Sequence, residues 1–173
     1  MLKTMMLTGA ACFTLAAAAF AQTPPQPGPA LSTPEFIVAA VQTDEFERRA
    51  GHMAEMQAGD PHVKQFGHMM TIDHTDTTRK LRDAIAKAGL PEPSPQPLSA
   101  EEQQMIDALR GVTGEAFDKM YLSQQIVAHE NALNVMQSYA ANGENPVLRD
   151  AASNTVPIVE HHLAVARQLR EAP

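Results

Sequence analysis

Apolar residues recur every three or four positions along four long stretches of the chain, which is the period of one face of an α-helix. Polar and charged residues occupy the positions between them, as on the solvent side of a packed helix. The composition, with no tryptophan and only 5% aromatic residues, also favours helices over strands. The pattern predicts long helices over residues 34–57, 61–88, 115–141 and 146–170.

Two short breaks between these helices use the same residue types in the same order. In Gly59-Asp60-Pro61, glycine ends one helix, aspartate caps the next, and proline takes its first position. Gly143, Asn145 and Pro146 repeat this device. Because so short a connection makes consecutive helices antiparallel, the sequence predicts an all-α four-helix bundle made of two helical hairpins.

The segment between the two hairpins is longer and has a different character. Residues 89–98 contain four prolines, which exclude a helix. Ser99 and Glu102 then form a capping box that predicts a short helix ending near Arg110. The Pro-rich link with its extra helix could cross the length of the bundle or cover one end, and the sequence does not decide between these topologies.

The N-terminus resembles a leader peptide rather than part of the fold. Lys3 precedes an apolar run that is too short to span a membrane, and Ala19-Phe20-Ala21 matches a cleavage signal. We therefore expect a signal peptide over residues 1–21, a Pro-rich tether over 22–33 and one domain over 34–172. This organisation predicts a periplasmic or secreted protein.

Composition excludes several classes of function. The formal net charge is −7, and no cluster of Lys or Arg offers a surface for nucleic acid. Cys12, the one cysteine, lies in the expected leader, so the mature chain would have neither a disulfide nor a thiolate metal site. No G-x-S-x-G, Gly-rich phosphate loop or C-x-x-C-H motif occurs. These features favour a protein without enzymatic activity but do not decide the question. They identify no protein partner, and they are compatible with a homo-oligomer.

Each of the four inward helix faces carries one ionisable residue near its middle: Glu47, His74, His129 and His162. At 1.5 Å per residue, the first two lie roughly 20 Å from their shared turn and the last two roughly 25 Å from theirs. In helices about 40 Å long, all four therefore lie at mid-bundle in either topology.

Burying a carboxylate and three imidazoles is costly unless they are paired, and two solutions remain open. A transition metal ion such as zinc, iron or copper would be bound by Glu47 and the three histidines, with Asp73 and Tyr121 behind them. Asp73 could instead be a further ligand, and we expect it to support His74 as that ring faces Glu47. The alternative is a metal-free hydrogen-bonded layer that fixes the register of the helices in a periplasmic interaction or stress-related bundle.

The remaining histidines and the methionines have simpler interpretations. Four histidines fall off the inward faces and should be solvated: His52, His62, His68 and His161. The methionines outside the leader are spread at helical spacing, which is typical of core filling rather than copper binding.

Several segments together resemble an exported bacterial family described as domain of unknown function 4142, which is ferritin-like in fold. They are F-I-V-A-A-V-Q-T-D-E-F-E, D-P-H-V-K-Q-F-G-H-M-M-T-I-D-H-T, A-F-D-K-M-Y and V-P-I-V-E-H-H-L, with His129 between the last two. The resemblance covers about residues 34–170 and implies an exported helical bundle without an established activity. Its motifs single out Asp73, His74, Asp118, Tyr121, His129 and His162.

The wider ferritin-like group often binds two irons through a Glu-x-x-His motif on each of two helices. This chain lacks that spacing at the expected site, because Glu160 lies two residues before His162 and Asp73 directly precedes His74. A mononuclear site, or none, therefore fits better than a dinuclear redox centre.

Overall fold

The computed structural model describes residues 29–172, which form five helices. They are α1 (Thr33–Gln57), α2 (Pro61–Lys87), α3 (Ala100–Arg110), α4 (Gly114–Asn142) and α5 (Pro146–Glu171). Each predicted helix is confirmed, and its ends lie within one residue of the predicted ends. The expected leader and most of the expected tether lie outside the described residues. Among residues 29–172, no helix combines the length and apolar character that a membrane crossing requires.

Side-chain caps explain why the helix boundaries could be read from the sequence. Asp60 accepts a hydrogen bond from the His62 backbone N–H at 2.7 Å, and Pro61 follows as the first residue of α2. Asn145 caps α5 in the same way by accepting from two backbone N–H groups. These caps satisfy donors that have no partner inside the helix, so they fix where each helix begins.

The order of the helices in space resolves the topology that the sequence left open. At one end of the bundle, Phe36 at the start of α1 stacks on Tyr139 near the end of α4, with ring centroids 3.9 Å apart. At the other end, Ala58 just after α1 forms a backbone bridge with Gly114 at the start of α4. The helices α1 and α4 are therefore antiparallel, and the link carrying α3 must cross the length of the bundle. A single long crossover between two hairpins is the course of ferritin-like bundles.

The core has two apolar clusters, one towards each end of the bundle. The cluster nearer the α1–α2 turn includes Phe46, Phe66, Met70, Ile106, Leu109, Phe117 and Tyr121. The other includes Phe36, Leu81, Ile85, Tyr139 and Leu148. Buried polar residues also contribute to the interior: Asp44, Glu47, His74, Thr77, Gln125, His129 and His162.

Two glycines allow α1 and α2 to approach unusually closely. A Cβ added at Gly67 would lie 2.6 Å from both the Ala54 Cβ and the Gly51 carbonyl oxygen, and one added at Gly51 would lie 2.6 Å from the Gly67 carbonyl oxygen. Because these neighbours are backbone or short side-chain atoms, the helices could not keep this separation with larger residues. Gly51 lies one turn after Glu47, so the close approach sets the spacing of α1 and α2 beside the polar residues.

Candidate functional site

Three buried histidines, contributed by three different helices, converge in the interior. His74 on α2 is 6% exposed, His129 on α4 is 1% exposed and His162 on α5 is fully buried. One ring nitrogen from each lies within 4.8 Å of those from the other two. The ring centroids are separated by 5.4 to 5.9 Å. We call these three residues the histidine trio, and it joins the two hairpins because His74 belongs to the first and the other two to the second.

Each ring of the trio has one nitrogen bonded to an oxygen and one without a partner. The bonds join His74 Nδ1 to Asp44 Oδ1 at 2.8 Å, His129 Nδ1 to the Gln125 carbonyl at 2.9 Å, and His162 Nε2 to Asp73 Oδ2 at 2.9 Å. The other nitrogen of each ring is buried and has no hydrogen bond in residues 29–172: Nε2 of His74, Nε2 of His129 and Nδ1 of His162. In a neutral imidazole whose N–H is donated to an oxygen, the other nitrogen carries a free lone pair. That arrangement suits a shared metal ion.

Asp44 holds His74 in place through a hydrogen bond and was not predicted from the sequence. It also accepts hydrogen bonds from the hydroxyls of Thr77 and Thr78, and all three of its contacts are 2.8 Å long. A signal for it was present, because Asp44 lies one turn before Glu47 on the same face of α1. It was missed because an acidic residue flanked by polar neighbours looks like part of a solvated face.

Asp73 lies near the trio, but its partner differs from the one expected. It bonds to His162 across the α2–α5 interface, whereas its position beside His74 in the sequence predicted that it would support His74. The correction follows from helix geometry, because adjacent residues on a helix point about 100° apart. His74 therefore faces the core while Asp73 faces the next helix, and 38% of the Asp73 side chain remains exposed.

Glu47 lies beside the trio without being one of the converging groups. It is fully buried, and its Oε2 accepts a hydrogen bond from Gln125 Nε2 at 2.6 Å. Its Oε1 lies 3.7 Å from His129 Nδ1 and has no hydrogen bond to the described residues. Burial raises the pKa of Glu47 to about 7, against the opposing effect of His74. Gln125 was also missed, although it lies one turn before His129 on α4.

The three imidazoles differ in how readily they accept a proton. Burial, together with the nearby rings of His74 and His162, lowers the pKa of His129 to about 3. Burial also lowers the pKa of His162, although the hydrogen bond to Asp73 opposes it. For His74, burial alone would lower the pKa, but the hydrogen bond to Asp44 and the charge of Glu47 together raise it. His129 and His162 are therefore neutral near pH 7, as metal ligands must be.

The other residues named from the sequence are not among the groups that converge at the trio. Tyr121, which was expected to lie behind the ligands, is fully buried, but its hydroxyl makes no hydrogen bond in residues 29–172. Asp118 accepts from the backbone N–H groups of Gly59 and Asp60, which ties α4 to the α1–α2 turn. The four histidines expected to be solvated are exposed.

Comparison with known proteins places the chain in a family. The model of the family described as "Domain of unknown function (DUF4142)" matches residues 18–169, which is most of the sequence. The chain therefore belongs to this family, and the resemblance noted in the sequence is confirmed. No curated protein and no solved structure gives a significant match.

Proposed function

We propose that this member of the family binds one divalent transition metal ion through His74, His129 and His162. The observation that carries the proposal is the arrangement of the ring nitrogens. Each ring donates one N–H to an oxygen, and its other nitrogen is buried with no hydrogen-bond partner in residues 29–172. An oxygen acceptor behind the ligand is the usual setting of a metal-binding histidine, because it fixes the tautomer and the orientation of the ring.

The unpartnered polar atoms favour a metal over a self-contained polar layer. Buried polar groups in folded proteins nearly always have hydrogen-bond partners, and leaving one without costs roughly 1–3 kcal/mol. Here three imidazole nitrogens and Glu47 Oε1 lack one among the described residues. A layer serving only to fix the helix register would pair these atoms with one another. An ion shared by the three rings would satisfy the nitrogens at once.

The chemistry of the ligands limits the choice of ion. Imidazole nitrogens suit zinc, copper, iron or nickel, and magnesium and calcium prefer oxygen ligands. Three histidines leave a fourth position for water or for Glu47, whose free Oε1 lies near His129. Because the trio is at most 6% exposed, we propose a role in holding or buffering the ion rather than in turnover of a substrate.

Two adjacent histidines provide a matched pair of variants for the test. His162→Gln removes a buried member of the trio, and His161→Gln removes its exposed neighbour on the same helix. Protein made without a His tag and stripped with a chelator would be titrated with zinc, copper, cobalt and nickel in competition with a chromophoric chelator. We expect one ion per chain for the unaltered protein and for His161→Gln. For His162→Gln we expect the affinity to fall by roughly 100-fold or more. Absence of binding to the unaltered protein would refute the proposal.

The second candidate function is a metal-free bundle that acts through protein contacts. The Gln125–Glu47 hydrogen bond favours it, because it pairs two buried side chains from α4 and α1 without an ion. On this alternative, replacing His129 by Leu and His162 by Gln together leaves the thermal stability unchanged or raises it, and added metal has no effect. On the metal proposal, metal raises the melting temperature of the unaltered protein and not that of the double variant.

We also propose that the chain is exported, on the basis of the leader pattern over residues 1–21. The measurement is the N-terminal sequence of the mature protein from a fractionated bacterial host. A mature chain beginning at Gln22 in the periplasmic or culture fraction is expected. An intact Met1 in the cytoplasmic fraction would reject the proposal.

A further inference from the structure

A surface groove between α2 and α5 is lined by Asp73, which forms a hydrogen bond to His162 of the histidine trio. It encloses about 510 Å³, and its lining includes His62, His68, Met69, Asp73 and Gln168. We propose that this groove is the route by which the metal ion reaches the trio, and that Asp73 is the residue that receives the ion immediately before the trio. The inference rests on the proposed function and extends it from the bound ion to its uptake.

Asp73 connects the outside of the groove to the inside of the bundle. Its side chain is 38% exposed, yet Oδ2 bonds to Nε2 of the buried His162 at 2.9 Å. In residues 29–172 this is the one hydrogen bond that its side chain makes. Breaking that single bond both frees a carboxylate for an incoming cation and releases a ring of the trio. No other residue in the lining of the groove contacts the trio by a hydrogen bond.

The groove also offers suitable groups along the way. His62, Met69 and Asp73 are seven and four residues apart on α2, so they lie along one side of the helix. They present an imidazole, a thioether and a carboxylate, each a ligand for some transition metal ions. The lining of the groove contains no lysine or arginine to repel a cation.

A second cavity also reaches the site, and its properties argue against the same role. It encloses about 490 Å³ between α1, α2 and α5 and meets the site at Asp44 and Thr77. Asp44 is held there by three hydrogen bonds, and only 11% of its side chain is exposed. Two lysines, Lys80 and Lys87, also line this cavity, together with two further acidic residues, Asp83 and Asp150. A cation arriving by this path would therefore reach a carboxylate, that of Asp44, which its three hydrogen bonds already hold in place.

Two exposed polar residues of α5 allow each path to be obstructed separately. Gln168 lines the groove and Asn154 lines the second cavity. Binding and release of Co²⁺ would be followed by stopped-flow absorbance for Gln168→Trp and Asn154→Trp. An obstructed route slows binding and release equally and leaves the equilibrium affinity unchanged. We expect both rate constants to fall about tenfold for Gln168→Trp and to stay within about twofold for Asn154→Trp.

The Asp73→Asn variant tests the receiving residue. Its amide oxygen can still accept from the His162 N–H, so the ring keeps its orientation while the charge is lost. We expect the association rate constant to fall about three- to tenfold and to depend less on ionic strength. If Asp73 only orients His162, the variant instead releases Co²⁺ faster with association unchanged, which overturns its receiving role. Slowing by Asn154→Trp rather than by Gln168→Trp would overturn the route, and failure of the unaltered protein to bind Co²⁺ or Zn²⁺ would refute the proposed function as well.

Discussion

Replacing Glu47 by Gln should make the metal-free protein more stable above neutral pH and change little near pH 5. The carboxyl group is fully buried, and burial raises its pKa from 4.5 to about 7. A carboxyl whose pKa is higher in the folded than in the unfolded state favours folding while it is protonated. Its contribution is complete below pH 4.5 and is lost as the pH rises through 7.

The magnitude follows from the displacement of the pKa. One pKa unit corresponds to about 1.4 kcal/mol, so the shift from 4.5 to about 7 amounts to roughly 3 kcal/mol once the pH exceeds 7. Glutamine has nearly the same shape and can accept the hydrogen bond that Gln125 donates, but it never ionises. The Glu47→Gln variant should therefore gain up to about 3 kcal/mol over the unaltered protein at pH 8, and much less at pH 5.

The assay is urea unfolding of chelator-treated protein at pH 5 and pH 8, followed by far-ultraviolet circular dichroism. Glu160→Gln on α5 is the control, because this side chain is exposed and its replacement should not change the difference between the two pH values. The reasoning would be refuted if the advantage of Glu47→Gln were the same at both pH values. That result would mean that Glu47 is ionised without cost in the folded chain.

Three further variants test other parts of the structure. His129→Leu should remove part of the acid sensitivity of the metal-free protein between pH 6.5 and 3. A buried histidine whose pKa is lowered to about 3 destabilises the folded state increasingly as the pH drops through that window. Urea unfolding at pH 7 and pH 4.5 would measure the difference. Gly67→Ala should cost about 1–3 kcal/mol in unfolding free energy because its Cβ has no space, whereas Gly111→Ala, whose Cβ would meet little, should cost almost nothing. Asp118→Ala should lower the free energy of unfolding by about 1–2 kcal/mol and speed hydrogen exchange at the amides of Gly59 and Asp60, because both amides donate to Asp118. Unchanged exchange at these two amides would contradict the assigned bonds.

The ionisable residues of the site do not all respond to acid in the same way. Treating the histidines as equivalent predicts a loss of stability below pH 6.5. In the structure His129 and His162 follow that expectation, because their pKa values are lowered. The pKa values of His74 and Glu47 are raised, so these two groups favour folding as the pH falls. The net profile therefore depends on opposing contributions, which individual variants can separate.

Local signals predicted the helices well because each boundary depends on nearby residues. Asp60 and Asn145 cap helices through backbone groups two or three positions away, and such contacts can be read from a short segment. The direction of the long link could not be read in this way. It depends on contacts such as that between Phe36 and Tyr139, which are far apart in the sequence.

The candidate site shows the same division between local and long-range information. His74, His129 and His162 could be found because each interrupts an apolar face near the middle of a helix. That His74 bonds to Asp44 rather than to Asp73 could not be predicted from the sequence, because it depends on how α1 and α2 are rotated about their axes. The close approach at Gly51 and Gly67 sets that packing, and neither glycine stands out in a helical pattern.

The crossover connection also determines when the site can come into existence. Either hairpin can form from neighbouring parts of the chain, but His74 belongs to the first and His129 and His162 to the second. No partly folded chain with a single docked hairpin can hold all three rings together. Ion capture at the trio would thus be a late event in folding, and a filled site would report that the two halves of the chain have docked.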